Sequence, residues 1–160
     1  MVKSASKENG LLFNFDQLNE ADQALIEAAI KILKANFHPI RHQVGAALRT
    51  ASGKIYSCVN VYSIGYAVHA EAAALGSAIS AGEREFVSIV AVKKVDDNFP
   101  VVSPCGNCRQ LILDYADKAT VIFNFKGETV KAKASDLLPG AYENSFTTGS
   151  RPGSLNIPQQ

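Results

Sequence analysis

The 160-residue chain carries almost no net charge, with 16 Lys and Arg set against 15 Asp and Glu. A balance of +1 gives no long-range field to hold a polyanion, and no Lys/Arg cluster with interleaved aromatics occurs. A nucleic-acid polymer is therefore not the expected partner; a small, roughly neutral molecule is. Long apolar runs are missing too. None approaches the ~20 residues that a membrane helix needs, and the first nine residues lack an apolar core of the kind a signal peptide carries, so a cytoplasmic protein with no membrane partner is expected. Cysteine is scarce, at three residues, and two of these stand in a C-x-x-C spacing. That usage argues against a disulfide framework and for metal-binding thiolates in a reducing compartment. The third, Cys58, lies in a strand-like segment and reads as a buried apolar thiol. Internal repeats and low-complexity tracts are absent.

What remains is an ordinary globular composition, 47% hydrophobic and 19% charged, at a length that suits one core. The first sixteen residues read as a flexible segment. Asp16 or Asn19 offers an N-cap for a helix over roughly 17–36, in which Leu18, Ala21, Leu25, Ala28, Ala29, Ile32 and Leu33 form the apolar stripe. Phe37-His38-Pro39 ends it. Val44–Arg49 and Lys54–Val61, joined through Ser52-Gly53, read as a β-hairpin. A second helix is expected from about His69 to Ala81 with Gly82 after it, then a buried strand at Phe86–Val92, a helix around Arg109–Ala116 and a strand at Ala119–Phe125. This alternation implies a layered α/β sheet. Residues 143–160 are rich in Ser, Thr, Gly and Pro and read as a loose tail.

The chemistry concentrates in two short motifs. His69-Ala70-Glu71 opens the second helix, and Pro104-Cys105-Gly106-Asn107-Cys108 follows, with Cys105 standing 36 positions after His69. Two thiolates and one imidazole make three zinc ligands, the number typical of catalytic sites, which leave the fourth tetrahedral position for water. They also offset the +2 of the ion, so the site is formally neutral. Both motifs fall at helix starts, where partial positive charge favours thiolate. Glu71, two positions after His69, need not bind metal and is placed to move protons. A structural zinc site would need a fourth ligand, for which only His38 and His42 remain among histidines.

The pattern His-x-Glu followed by Pro-Cys-x-x-Cys is that of zinc deaminases, and on these residues the chain resembles the cytidine deaminase superfamily over 17–142. The small blasticidin-S deaminases are the nearer likeness. Asn60-Val61-Tyr62 resembles their Val-Asn-Val-Tyr segment, whereas cytidine deaminases proper carry Asn-Val-Glu-Asn there; Ser103-Pro104-Cys105-Gly106, Cys108-Arg109-Gln110 and Leu137-Leu138-Pro139 with Tyr142 agree too. Two departures stand out: the first ligand is His69 where the small relatives generally use Cys, and His42 stands near the place of a base-stacking Phe, ahead of Val44-Gly45-Ala46-Ala47-Leu48. The resemblance implies a three-layer α/β/α sandwich around a mixed sheet of about five strands, a bound Zn2+, and a homotetramer or homodimer. It implies further that the Ala70 N–H meets the ring carbonyl, a backbone group near Ser103 meets the amino group, Asn60 meets the sugar, Arg109 supports the cysteine turn, and Tyr142 closes a neighbouring subunit's pocket. Tyr62 either fills the space of the missing Glu or is a strand aromatic with no ligand role.

The expected activity is hydrolytic deamination of the cytosine ring of a free nucleoside or nucleoside antibiotic, with blasticidin-S-type substrates ahead of cytidine and deoxycytidine. A catalytically idle zinc- or nucleoside-binding protein is the rival from another class, and a polynucleotide deaminase is opposed by the charge balance.

Overall fold

The computed structural model describes residues 5–8 and 11–142, the first two strands by backbone alone. These strands, β1 (Ala5–Glu8) and β2 (Leu11–Asn14), pair antiparallel with Glu8 opposite Leu11. Within the first sixteen residues, which read as a flexible segment in sequence, residues 5–8 and 11–14 are strand. Leu11, Phe13 and Phe15 alternate with period two, and the strands are joined in sequence by Asn9-Gly10, the dipeptide most favoured in two-residue hairpin loops. Phe15 is buried against the rings of Phe123 and Phe125, 5.8 and 4.8 Å away between centroids, which anchors the segment to the sheet. The tail over 143–160 lies outside the described residues.

Helix α1 (Glu20–Asn36) starts at Asn19, whose side chain accepts from the Asp22 N–H while the Asp22 carboxylate accepts from the Asn19 N–H, each at 3.0 Å. It stops at Phe37, whose extended backbone precedes the His38-Pro39 pair. Then come β3 (Val44–Thr50), β4 (Ile55–Val59), the two-residue strands β5 (Val61–Tyr62) and β6 (Ala67–Val68), helix α2 (Ala70–Ser80), β7 (Phe86–Lys93), the short β8 (Val101–Val102), helix α3 (Gly106–Ala116), β9 (Thr120–Phe125), β10 (Glu128–Lys133) and a 3-10 turn over Ala134–Leu137. Gly82, at φ +91, supplies the left-handed turn after α2 that the sequence signals.

The central sheet runs β10-β9-β7-β3-β4, with β8 also paired to β7. Every pairing is antiparallel except β7 with β9, so the sheet is mixed, as expected. Alternation along the strands divides the core. Ala47, Val90, Val92 and Ile122 face α1 through Leu25, Ala29 and Leu33, while Ala46, Leu48, Ile89, Ala91, Val121 and Phe123 face α2 and α3 through Ala74, Leu75, Ala78 and Ile112. The result is the three-layer sandwich. Gly45 permits the close approach of α1, since a Cβ there would lie 2.6 Å from the Ala29 carbonyl oxygen. With α2 entering directly from β6 and α3 from the loop after β8, both helices begin beside one another on a single face, and the two chemical motifs meet.

Candidate active site

His69 is the N-cap residue of α2 and Cys105 the N-cap residue of α3, both in extended backbone conformation and neither capping its helix with a side-chain hydrogen bond. Each side chain is thereby free of a capping bond and available to a ligand. Cys108 lies one turn into α3, on the same side as Cys105 because residues three apart share a helix face. His69 Nδ1 stands 3.3 Å from Cys108 Sγ and 3.4 Å from Cys105 Sγ, and the three ligand atoms all lie within 4.8 Å of one another. A tetrahedral ion with ordinary Zn–N and Zn–S bonds would set N and S about 3.5 Å apart, so the donors are spaced for zinc.

The electrostatics agree. Cys105 is exposed, but Cys108 is buried, and burial, with the charges of Glu71 and Cys105 beside it, pushes its thiol far above the usual range. A thiolate at that position needs a cation. Glu71, in the first turn of α2, is itself buried and borders an apolar recess with Ile89, Ala91, Pro104 and Ile112. The first-turn N–H groups of both helices, which have no partner within their own helix, add partial positive charge to the same region.

Around this centre, Arg109 ties the cysteine turn down. Its Nε donates to the Pro104 carbonyl at 3.0 Å and its Nη1 to the Leu137 carbonyl at 3.3 Å, so the residue before the first thiolate is linked to the 3-10 turn. Gln110 Nε2 donates to Asp114 Oδ1 at 2.8 Å and to the Tyr142 carbonyl at 3.3 Å, which brings the exposed Tyr142 to the start of α3. The Ser103 hydroxyl donates to the Asn124 carbonyl.

The Asn60 side chain is largely engaged within the fold. Its Oδ1 accepts from the Gln43 and Val44 N–H groups at 2.8 and 2.9 Å, and its Nδ2 donates to the Arg41 carbonyl at 3.2 Å, leaving one N–H hydrogen to offer. Its main function within the fold is to hold the turn that enters β3. His42 is part of that turn, with Nδ1 2.7 Å from the Asn60 carbonyl and its ring edge-on to His38 at 6.2 Å. Tyr62 sits on β5 opposite Ala67, half exposed, two residues from His69 in the pairing. Cys58 is half-buried rather than buried; burial raises its thiol pKa, offset in part by a hydrogen bond with Ser77. Sequence reading passed over Arg41 and the Gln110 link to Tyr142, because a lone cation in a turn and a glutamine on a helix have no pattern of their own.

A family model described as the cytidine and deoxycytidylate deaminase zinc-binding region matches residues 19–124. The chain belongs to this family. It is 40% identical over 132 residues to a blasticidin-S deaminase of Bacillus cereus, an alignment covering 78% of this chain and 94% of that protein. It is 36% identical over 125 residues to a cytidine deaminase of Halalkalibacterium halodurans, covering 75% and 92% respectively. The crystal structure of a cytidine deaminase from Burkholderia pseudomallei superposes with a TM-score of 0.63 at 35% identity, over 75% of this chain and 98% of that one. The protein is thus a zinc-dependent deaminase by family, and His69, Cys105 and Cys108 form a group that could hold the metal. No helix among the described residues is long and apolar enough to cross a membrane.

Proposed function

We propose that the protein deaminates the cytosine ring of a free nucleoside or nucleoside antibiotic, giving the uracil form and ammonia, with blasticidin-S-type compounds preferred. The observation that carries this reading is the convergence of His69, Cys105 and Cys108 with a buried carboxylate, Glu71, against them. When bound, zinc supplies the positive charge that makes water a competent nucleophile near neutral pH. Glu71 takes one proton from water and delivers it to the ring nitrogen, then takes the second proton from the same oxygen and passes it to the amine as the C4–N bond breaks, leaving the C4 carbonyl and ammonia. The first turn of α2 presents the Ala70 N–H to the ring carbonyl, and a backbone group near Ser103 accepts from the amino group. His42 provides a face for the base. Asn60 keeps one N–H for a sugar hydroxyl, while Tyr62 and Tyr142 bound the sugar end. The preference for blasticidin S rests on the Asn60-Val61-Tyr62 segment and on the similarity to the Bacillus cereus protein.

A cytoplasmic homotetramer or homodimer completes the proposal. Ile40, Ile64 and Tyr66 expose apolar side chains on the segments next to Tyr62, a surface suited to a second copy of the chain. The test is ammonia release by the zinc-loaded protein from cytidine, deoxycytidine and blasticidin S side by side, with Glu71→Ala as the control. Turnover of the antibiotic above the nucleosides, lost in Glu71→Ala, is expected. Turnover of cytidine alone would reverse the substrate preference, and unchanged release in Glu71→Ala would refute the role of that carboxylate.

A further inference from the structure

In the proposed reaction Glu71 puts a proton on the amine as the C4–N bond breaks, so the nitrogen gains positive charge during that step. An acceptor held beside it is therefore worth more in the transition state than in the bound substrate, and acts on kcat. The Ser103 carbonyl is placed to be that acceptor. Ser103 stands two residues before Cys105, and Pro104 between them lines the apolar recess that Glu71 borders. Among the described residues no N–H or O–H group donates to the Ser103 carbonyl, whereas the next carbonyl along, that of Pro104, is occupied by Arg109 Nε at 3.0 Å.

The way Ser103 is held bears on this. Strands β7 and β9 stay in parallel register as far as Val90 and Ile122. Past that point the chain leaving β8 is tied to the carboxyl end of β9 by a side-chain bond, from the Ser103 hydroxyl to the Asn124 carbonyl. Asn124 is itself fixed: its Oδ1 accepts from the Gly127 N–H at 3.0 Å, across the two-residue turn in which Lys126 and Gly127 take φ of +52° and +92°. The planar Ser103–Pro104 peptide thus lies between two anchors, the hydroxyl bond before it and the Arg109 bond after it. The Pro104 ring fixes φ between them, which leaves the Ser103 carbonyl little freedom to turn. The two anchors divide the work. Arg109 steadies the turn that carries the thiolates, and the hydroxyl steadies the carbonyl that precedes it.

We infer that Ser103 is a positioning residue: the bond from its hydroxyl to the Asn124 carbonyl holds its own carbonyl as the acceptor for the departing amine. The inference rests on the deaminase reading and adds a residue and a step to it. Its test compares the zinc-loaded native chain with Ser103→Ala, Ser103→Val and Ser103→Thr on cytidine, blasticidin S and the cytidine analogue with methoxy in place of the 4-amino group. Water attacks C4 in each, and the group that leaves is ammonia or methanol. Methanol carries only the proton that Glu71 delivers and has no further hydrogen for a second acceptor. For whichever amine is turned over, kcat should fall about tenfold in Ser103→Ala and Ser103→Val, the equivalent of one positioned hydrogen bond, with KM within about twofold. Ser103→Thr, which keeps the hydroxyl, should restore it, and Asn124→Ala should give a smaller fall of the same kind. The methoxy compound, where it is hydrolysed, should lose less kcat than the amine, and zinc affinity by chelator competition should stay within about twofold throughout. An unchanged kcat in Ser103→Val, an equal loss in Ser103→Thr, an equal loss for methoxy and amine, or a zinc affinity that falls in step would overturn the inference and leave deamination intact. Failure of the native chain to release ammonia from any cytosine compound would overturn the deaminase reading and this inference with it.

Discussion

Replacing Arg109 with Met keeps most of the volume of the side chain and removes two hydrogen bonds that fix the cysteine turn. The bond to the Pro104 carbonyl, at 3.0 Å from a charged donor on a half-buried side chain, contributes about 1.5–3 kcal/mol; the 3.3 Å bond to Leu137 is weaker, about 1 kcal/mol or less. Pro104 directly precedes the first thiolate, so the stronger bond orients the turn that carries both cysteines. If it acts fully on ligand geometry, zinc affinity falls by about ten- to a hundredfold, the range typical for groups that orient metal ligands. Competition for zinc against a chromophoric chelator measures this directly, and urea melts of the zinc-loaded and zinc-free protein give an independent reading. By linkage, the loaded form should lose more stability than the free form, by the free-energy equivalent of the affinity change. Arg109→Lys, with one cationic head for two carbonyls, should fall between. An affinity within twofold of the native chain, together with equal stability losses in both forms, would refute a positioning role and leave Arg109 as an ordinary contributor to the fold.

Two further outcomes follow from the geometry. Gly45→Ala places a Cβ 2.6 Å from the Ala29 carbonyl oxygen and 2.8 Å from Leu33 Cβ, so α1 must shift outward; a loss of about 1–3 kcal/mol in a urea melt is expected, with zinc content unchanged because α1 lies on the opposite face from the ligands. Asn60→Ala leaves the Gln43 and Val44 N–H groups without their acceptor, and should lower stability by about 1–3 kcal/mol and raise KM for every cytosine substrate together; a change in KM for one sugar only would mean that direct sugar contact, not the turn, is its main contribution.

The metal ligands were legible because few residue types bind zinc and each stands at a helix start with a sequence signature. Strands β7 and β9 were legible as short apolar runs buried on both faces. The strand β10, by contrast, alternates Lys131 and Lys133 with small residues at a sheet edge and resembles a solvated turn in sequence. With two residues each, β5, β6 and β8 have no period to detect. The N-terminal hairpin had a signal, Asn9-Gly10 between alternating residues, that the polar character of the first residues obscured. The hold of Asn60 on the 41–44 turn depends on bonds to residues 16–19 positions away, and no local pattern reports those.

Between His69 and Cys105 the chain runs out along β7, the strand at the middle of the sheet, and returns through β8. The imidazole and the thiol pair therefore come within reach of one ion only after that strand has found both β3 and its neighbours on the other side. In an unfolded chain the cysteine turn offers two donors and the histidine wanders at the end of a long loop. Bound metal is for this reason a report on the fold: a chain that holds the ion with all three protein ligands is one in which the central strand lies between its proper neighbours, and the ion adds its binding energy to that arrangement.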